Sequence, residues 1–373
     1  MAKYRDIFLT LKQAIDDGTY GAGLRLPSEH SLVQTFKASR VTIGRALKEL
    51  QSDGYIERRV GSGTFVRSVA VKKGHYTFGL LIPQLGQTEI FEPICQGMVA
   101  AQQAQGHVLI WGKSLAGADT SEADARDVCQ RLVSNKVDGV FFAPFEDSDR
   151  QDAINSTITA ELNRAKVPVV LLDRDVVAYP ERSNYDVVGI DNRRAGFVVT
   201  KHLIERGCRR IGYIGKQHLA PSCIGRAAGY GDATSAAGSL VDADSVFVET
   251  IDPTDVECVS SIMARYRPDG VVCSNDHTAA QLMRTLSELR IAVPDEVRLV
   301  AFDDVKYANL VSVPLTTIHQ PCAQLGAAAI QAMIQRIENP EMWARDILVD
   351  FKLVVRRSCG SPSPDGRRHR SAS

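Results

Sequence analysis

From Tyr4 to Asp17 the apolar residues Ile7, Phe8, Leu11, Ala14 and Ile15 recur at intervals of three and four, which predicts an amphipathic helix closed by Gly18. In Leu26-Pro27-Ser28-Glu29, Ser28 is placed to cap a second helix carrying Leu32, Val33 and Phe36. Ser39 is placed to cap a third, with Ile43, Ala46, Leu47 and Leu50 turned inward and Arg40, Thr42 and Arg45 left on its outer, N-terminal part. Gly54 ends the turn that follows. Tyr55 to Arg59 and Thr64 to Arg67 then flank Gly61-Ser62-Gly63, which reads as a two-stranded wing with a glycine tip.

After a short linker, residues 69–75, the period changes. Strand-like runs at Phe78 to Ile82, Val108 to Trp111, Gly139 to Ala143, Val167 to Leu172 and Val187 to Ile190 alternate with helix-like stretches. The alternation continues through Ile211 to Ile214, Val246 to Val248, Gly270 to Cys273 and Leu299 to Phe302, with Ala195 to Arg206 and Thr278 to Leu289 among the amphipathic segments. Such alternation implies an α/β architecture of parallel sheets with flanking helices. A body of about 280 residues is too large for one compact doubly wound sheet, so two lobes are expected.

Charge separates the same two regions. Lys and Arg outnumber Asp and Glu by six in residues 1–73, whereas residues 74–355 carry a net charge of −10 and residues 356–373 one of +4. Two helices, a reading helix and a wing form a winged helix-turn-helix, and a basic module of that kind fits double-stranded DNA. Arginine at the start of the reading helix suits guanine, whose two acceptors match its fork. Elsewhere composition excludes more than it suggests. No apolar run reaches the roughly 18 residues of a membrane span, and Met1-Ala2-Lys3-Tyr4-Arg5-Asp6 is unlike a signal peptide, so a cytoplasmic protein is expected. The eight cysteines are scattered without zinc-like spacing and read as reduced core fillers.

Open parallel sheets bind ligands beyond the carboxyl ends of their strands. There the chain places Asp173-Arg174 after Val169 to Leu172, Asn275-Asp276 after Val271 to Ser274, and Asp303-Asp304 after Leu299 to Phe302. Carboxylates and amides suit the hydroxyls of a polyol or sugar, and an arginine suits a ring oxygen or an acid group. An Asp after a strand is also a common helix cap. Asp276 is read as such a cap, and Asp304 as a solvated group. His202 and His319 have no second ligand at metal-binding spacing, so no metal and no cofactor is expected.

Both regions resemble known families. Leu26-Pro27-Ser28-Glu29, Ser39-Arg40, Thr42, Arg45-Ala46-Leu47, Leu50, Gly54 and Gly61-Ser62-Gly63-Thr64-Phe65-Val66 resemble the DNA-binding domain of the gluconate-repressor (GntR) family. The resemblance implies DNA contacts from Ser28, Ser39, Arg40, Thr42, Arg45, Gly61, Ser62, Gly63 and Thr64. Many members carry Arg where this chain has His30 and Gly44. The body is similar to the effector domain of the lactose-repressor (LacI) family. Val137 to Val140, Val167 to Arg174, Val188 to Asn192, Gly196, His202-Leu203, Arg209 to Ile211, Arg226 to Tyr230, Asn275-Asp276, Ala301 to Asp304 and Pro314 to Gln320 carry this likeness. It implies a two-lobed periplasmic-binding-protein-like fold whose ligand touches Asp173, Arg226, Asn275, Asp303 and Gln320, with Phe91 and Ile190 alongside.

The expected organisation is a DNA-binding domain at 1–68, a linker at 69–75 and an effector and dimerisation domain at 76–357. Its first lobe takes about 76–190 and 322–345, its second about 191–320 and 346–357, with a disordered tail at 358–373. The combination implies a homodimeric regulator without enzymatic activity, a repressor of carbohydrate-utilisation genes whose hold on its operator changes when a small sugar-like effector binds. The same architecture also allows a non-sugar metabolite, or a ligand acting as corepressor. The chain shows no GxSxG or GxxxxGK[ST] motif.

Overall fold

The computed structural model describes residues 3–16, 19–21, 23–52, 55–59, 62–66, 75–82, 90–101, 106–111, 121–145, 151–216 and 220–362. The chain divides into an N-terminal unit, Met1–Gly74, and a body that begins at His75.

In the N-terminal unit, helices α1 (Lys3–Asp16), α2 (Glu29–Phe36) and α3 (Arg40–Ser52) precede strands β1 (Ile56–Arg59) and β2 (Gly63–Val66). Ile7, Leu11, Ile15, Leu32, Ile43, Ala46, Leu47 and Leu50 are buried in one core, the face that the helical period predicts. Ser28 caps α2, its hydroxyl accepting from Ser31 N at 3.1 Å. The wing strands pair antiparallel with Ile56 opposite Val66 and Arg59 opposite Gly63. Periodicity gave no sign of a third member: Leu26 N donates to Thr64 O at 2.8 Å and Val66 N to Leu24 O at 2.9 Å, tying the approach to α2 onto β2. The proposed stops at Gly18 and Gly54, the tip residue Gly61 and linker residues 69–74 lie outside the described residues.

The body holds two six-stranded sheets. The first has the order β13-β7-β6-β5-β3-β4, built from β3 (Thr77–Leu81), β4 (Val108–Trp111), β5 (Gly139–Phe142), β6 (Val169–Leu172), β7 (Asp186–Gly189) and β13 (Asp346–Leu348). All its pairings are parallel. Helices α4 (Phe91–Ala100), α5 (Glu122–Ser134), α6 (Gln151–Arg164) and α11 (Cys322–Glu338) accompany it. The second sheet runs β14-β12-β11-β10-β8-β9, from β8 (Ile211–Gly215), β9 (Phe247–Thr250), β10 (Gly270–Cys273), β11 (Arg298–Asp303), β12 (Thr316–His319) and β14 (Lys352–Val354). Only β14 is antiparallel to its neighbour. Helices α7 (Asn192–Glu205), α8 (Pro221–Ala237), α9 (Val256–Tyr266) and α10 (Asp276–Glu288) belong with it. Each lobe has its own apolar core, which answers the expectation of two.

The chain passes between the lobes after β7, after β12 and between β13 and β14. Two boundaries therefore move. Residues 346–348, expected in the second lobe, pair with β7 in the first, with Ile347 opposite Val188, so the last crossing falls between Leu348 and Lys352. The tail expected from 358 begins too early, because Ser358 and Cys359 are buried and Ser358 Oγ donates to Leu299 O at 2.6 Å.

Candidate functional site

In the N-terminal unit the outward side of α3 and the wing present most of the expected DNA-contacting residues. Ser39 Oγ accepts from Thr42 N at 3.2 Å and so caps the helix, and it lies 2.8 Å from Thr42 Oγ1, which links the two hydroxyls. Arg40 and Arg45 are exposed, and the Arg45 guanidinium lies 4.1 Å from the Tyr4 ring centroid, steadied by the cation–π attraction. Gly63 has φ +114°, and a Cβ there would come within 2.6 Å of Arg25 Nε, so glycine is required at this end of the turn. A cleft of about 430 Å³ between the wing and the start of α2 is lined by Arg25, Ser28, Arg58, Arg59, Gly63 and Thr64 among others. Arg58 is braced there by Glu29 at 2.9 Å. Sequence reasoning missed Arg25 and Arg58, whose placement depends on the wing folding back on α2.

In the body the second lobe brings Arg226, Asp303 and Gln320 together. Helices α7 and α8 approach backbone to backbone: a Cβ on Gly196 would lie 2.1 Å from Arg226 O, and one on Gly229 1.9 Å from Arg193 O. That approach seats Arg226 at 3% exposure. Its Nε donates to Asn192 Oδ1 at 2.9 Å, and its two terminal nitrogens donate to Ser274 O at 2.7 Å and Asp303 Oδ1 at 3.2 Å. The guanidinium also stacks 4.7 Å from the Phe302 ring centroid. Burial alone would loosen its proton, but Asp303, Cys223 and Asp173 hold it above the ordinary arginine range. Gln320 Nε2 donates to the same Asp303 oxygen at 2.8 Å, which fixes the orientation of the amide. Asp303 adopts φ +108° and Asp173 φ +70°, unusual backbone for residues other than glycine and of the kind that collects at binding sites.

The first lobe contributes Asp173 and Arg174, both buried. Asp173 Oδ2 lies 3.4 Å from the Arg174 guanidinium, which donates through Nε to Pro144 O and lies 5.7 Å from the Phe91 ring centroid. Phe91 and Ile190 are buried apolar residues at the start of α4 and just after β7. Among the expected ligand-contacting residues, two buried acceptors make no hydrogen bond: Asp173 Oδ1 and Gln320 Oε1. A buried acceptor without a donor costs about 1–3 kcal/mol, which makes these two oxygens the natural docking points of a donor-bearing ligand.

Two sequence readings change. Asn275, not Asp276, caps α10, its Oδ1 accepting from Thr278 N at 2.8 Å, so one of its two polar ends is committed to the helix. Asp276 is instead buried inside the lobe and accepts from Val305 N at 3.0 Å and Thr317 Oγ1 at 2.6 Å. Burial, then the nearby Asp303 charge, pushes its carboxyl well above the usual carboxylate range. Asp304 is no solvated group either: it pairs with Arg356 at 2.7 Å and with His319 Nδ1 at 2.9 Å. Asn192 and Arg174, which orient the expected residues, were visible only as neighbours in the motifs. Among the described residues no group of His, Cys, Asp and Glu could hold a metal ion, and no helix is long and apolar enough to cross a membrane.

This geometry agrees with what the chain is similar to. Residues 3–66 match the gntR family of bacterial regulatory proteins, and residues 200–359 the periplasmic binding protein-like domain. The chain is thus a one-chain transcriptional regulator, a GntR-type DNA-binding domain joined to a LacI-type effector domain. Its likeness extends over nearly its whole length to the arabinose metabolism transcriptional repressor of Geobacillus stearothermophilus, 28% identical over 94% of this chain and 97% of that one. The chain is also similar to the HTH-type transcriptional repressor PurR of Photobacterium profundum, 27% identical over 76% of this chain and 80% of that one. Among solved structures, the CelR–cellobiose complex superposes with a TM-score of 0.63 at 22% identity, covering 86% of this chain and 92% of that one.

Proposed function

We propose that this chain is a cytoplasmic repressor of carbohydrate-utilisation genes, binding operator DNA as a homodimer and releasing it when a sugar enters the cleft. The observation that carries the effector reading is the pair of unsatisfied acceptors, Asp173 Oδ1 from the first lobe and Gln320 Oε1 from the second. Vicinal hydroxyls supply donors to both, and a ligand bound to both lobes favours one closure over the other. The donors nearby are already engaged: Arg226 by Asn192, Ser274 and Asp303, and Gln320 Nε2 by Asp303. Such a cleft favours a neutral polyol over a phosphorylated one. The arabinose repressor's likeness along the whole chain points the same way. A dimer gives one reading helix per half-site, which a single small reader needs for specificity. No catalytic step is assigned to the cleft.

A thermal-shift screen of neutral pentoses and hexoses, their phosphates, sugar acids and purine bases tests this, with duplex binding measured in parallel. A neutral sugar should raise the melting temperature and weaken duplex binding. A purine base that raises both melting temperature and duplex affinity would replace the inducer reading with a corepressor one. Sedimentation as a monomer at every concentration would remove the dimer.

A further inference from the structure

The reading helix carries one apolar side chain among its cations. Val41, on the first turn of α3, is 84% exposed, and Arg40, Arg45 and Lys48 around it are exposed as well. Ile43, Ala46, Leu47 and Leu50 mark the core-facing side of the helix. At 3.6 residues per turn Val41 points directly away from that side, sharing its stripe with Gly44, Arg45 and Lys48. A Cβ added at Gly44 would meet nothing within 4 Å, so the stripe is open beside Val41. Arg45 leans over the Tyr4 ring of α1, which leaves the valine uncovered.

A single exposed valine is ordinary on a protein surface. This one is distinguished by its position at the centre of the cationic face that meets a polyanion. Among the edges of bases in the major groove, thymine offers an apolar group, its 5-methyl, and small apolar side chains recognise it by contact. We propose that Val41 is a sequence-reading residue that packs on a thymine 5-methyl in each half-site, with Gly44 leaving room for the groove to come within reach. The cations around it disfavour an apolar protein surface as the occupant and match phosphate on either side of the base. The proposal rests on the assignment of this unit as a reader of duplex DNA.

The test uses the full-length chain to select duplexes from a random pool. The best duplex is then resynthesised with each thymine in turn replaced by uracil, which deletes only the methyl group, and binding is followed by fluorescence anisotropy at fixed salt. At one thymine per half-site the replacement should weaken wild-type binding about fourfold, the weight of one buried methyl. Val41→Ala, exposed and helix-compatible, should bind the thymine duplex more weakly, show no uracil effect at that position, and keep the wild-type salt slope because no phosphate contact is lost. Wild-type indifference to uracil at every position, or a uracil penalty of equal size in Val41→Ala, overturns the proposal while DNA reading stands. Failure of wild type to bind any duplex in a salt-dependent way overturns both.

Discussion

Replacing Arg226 by Ala removes a charged joint of the second lobe as well as a group of the proposed sugar site, and the two consequences separate experimentally. The guanidinium holds Asn192, the Ser274 carbonyl and Asp303 through hydrogen bonds of 2.9, 2.7 and 3.2 Å. Cutting one partner from a buried ion pair costs about 3–5 kcal/mol, because the remaining charge stays buried without compensation. The lost donors to Asn192 and Ser274 add on the order of 1 kcal/mol each, and since the three bonds share one side chain they do not sum freely. A loss near 5 kcal/mol follows, roughly 10 °C or more for a body of this size. Calorimetry of the full chain should show the body transition fall by that amount, and a sugar that stabilises wild type should no longer shift it. Duplex binding measured well below the new transition should persist. Asp303→Asn keeps the shape of the side chain and its hydrogen bonds to Arg226 and Gln320 but leaves the buried Arg226 charge without its counter-ion, so it should also melt below wild type and lose the sugar response. If Arg226→Ala melted within the roughly 0.5 kcal/mol typical of a surface substitution, the buried-joint reasoning would be refuted.

Two further outcomes follow from other parts of the body. Asp186, fully buried on β7, accepts from both Arg336 and Arg345 at 3.0–3.1 Å and so fastens α11 and the approach to β13 to the first lobe; Asp186→Ala leaves two arginines without it and should cost about 3–5 kcal/mol in urea unfolding, whereas an unchanged midpoint would show that the arginines find other partners. Burial alone would raise the Cys359 thiol, but hydrogen bonds from His202, Ser361 and Thr316 hold it down at about 6 against an ordinary 9.0. Its contribution is therefore fully present above pH 9 and is lost as pH falls from 9 to 6, so the stability gap between wild type and Cys359→Ser should widen with pH across that window. A gap that stayed flat between pH 6 and 9 would exclude a low thiol.

The sequence by itself determined the features that short-range physics controls. Ile43, Ala46, Leu47 and Leu50 repeat at the helical period and all are buried. The nine strand-like runs of the body all coincide with strands, since a short apolar run bounded by polar turns has few other uses in an alternating chain. Polar residues after β6, β10 and β11 stand where the sequence placed them, at the strand ends where parallel sheets bind ligands.

Tertiary structure decided what depends on partners distant in the chain. Strand β13 joins the first lobe through a register with β7 that lies about 160 residues earlier, and nothing in its three residues favours one lobe over the other. Asn275 rather than Asp276 caps α10, because the interior offers Asp276 two donors, Val305 N and Thr317 Oγ1, and the cap takes the amide. Arg226 is a structural joint, since the close approach of Gly196 and Gly229 buries it beside Asn192, Ser274 and Asp303. That Asp173 Oδ1 and Gln320 Oε1 are left unpaired is known only after every other donor in the fold has been placed. Composition and period describe what a residue prefers next to its neighbours. Hydrogen-bond satisfaction is settled over the whole folded chain, so the roles of these polar residues emerge only there.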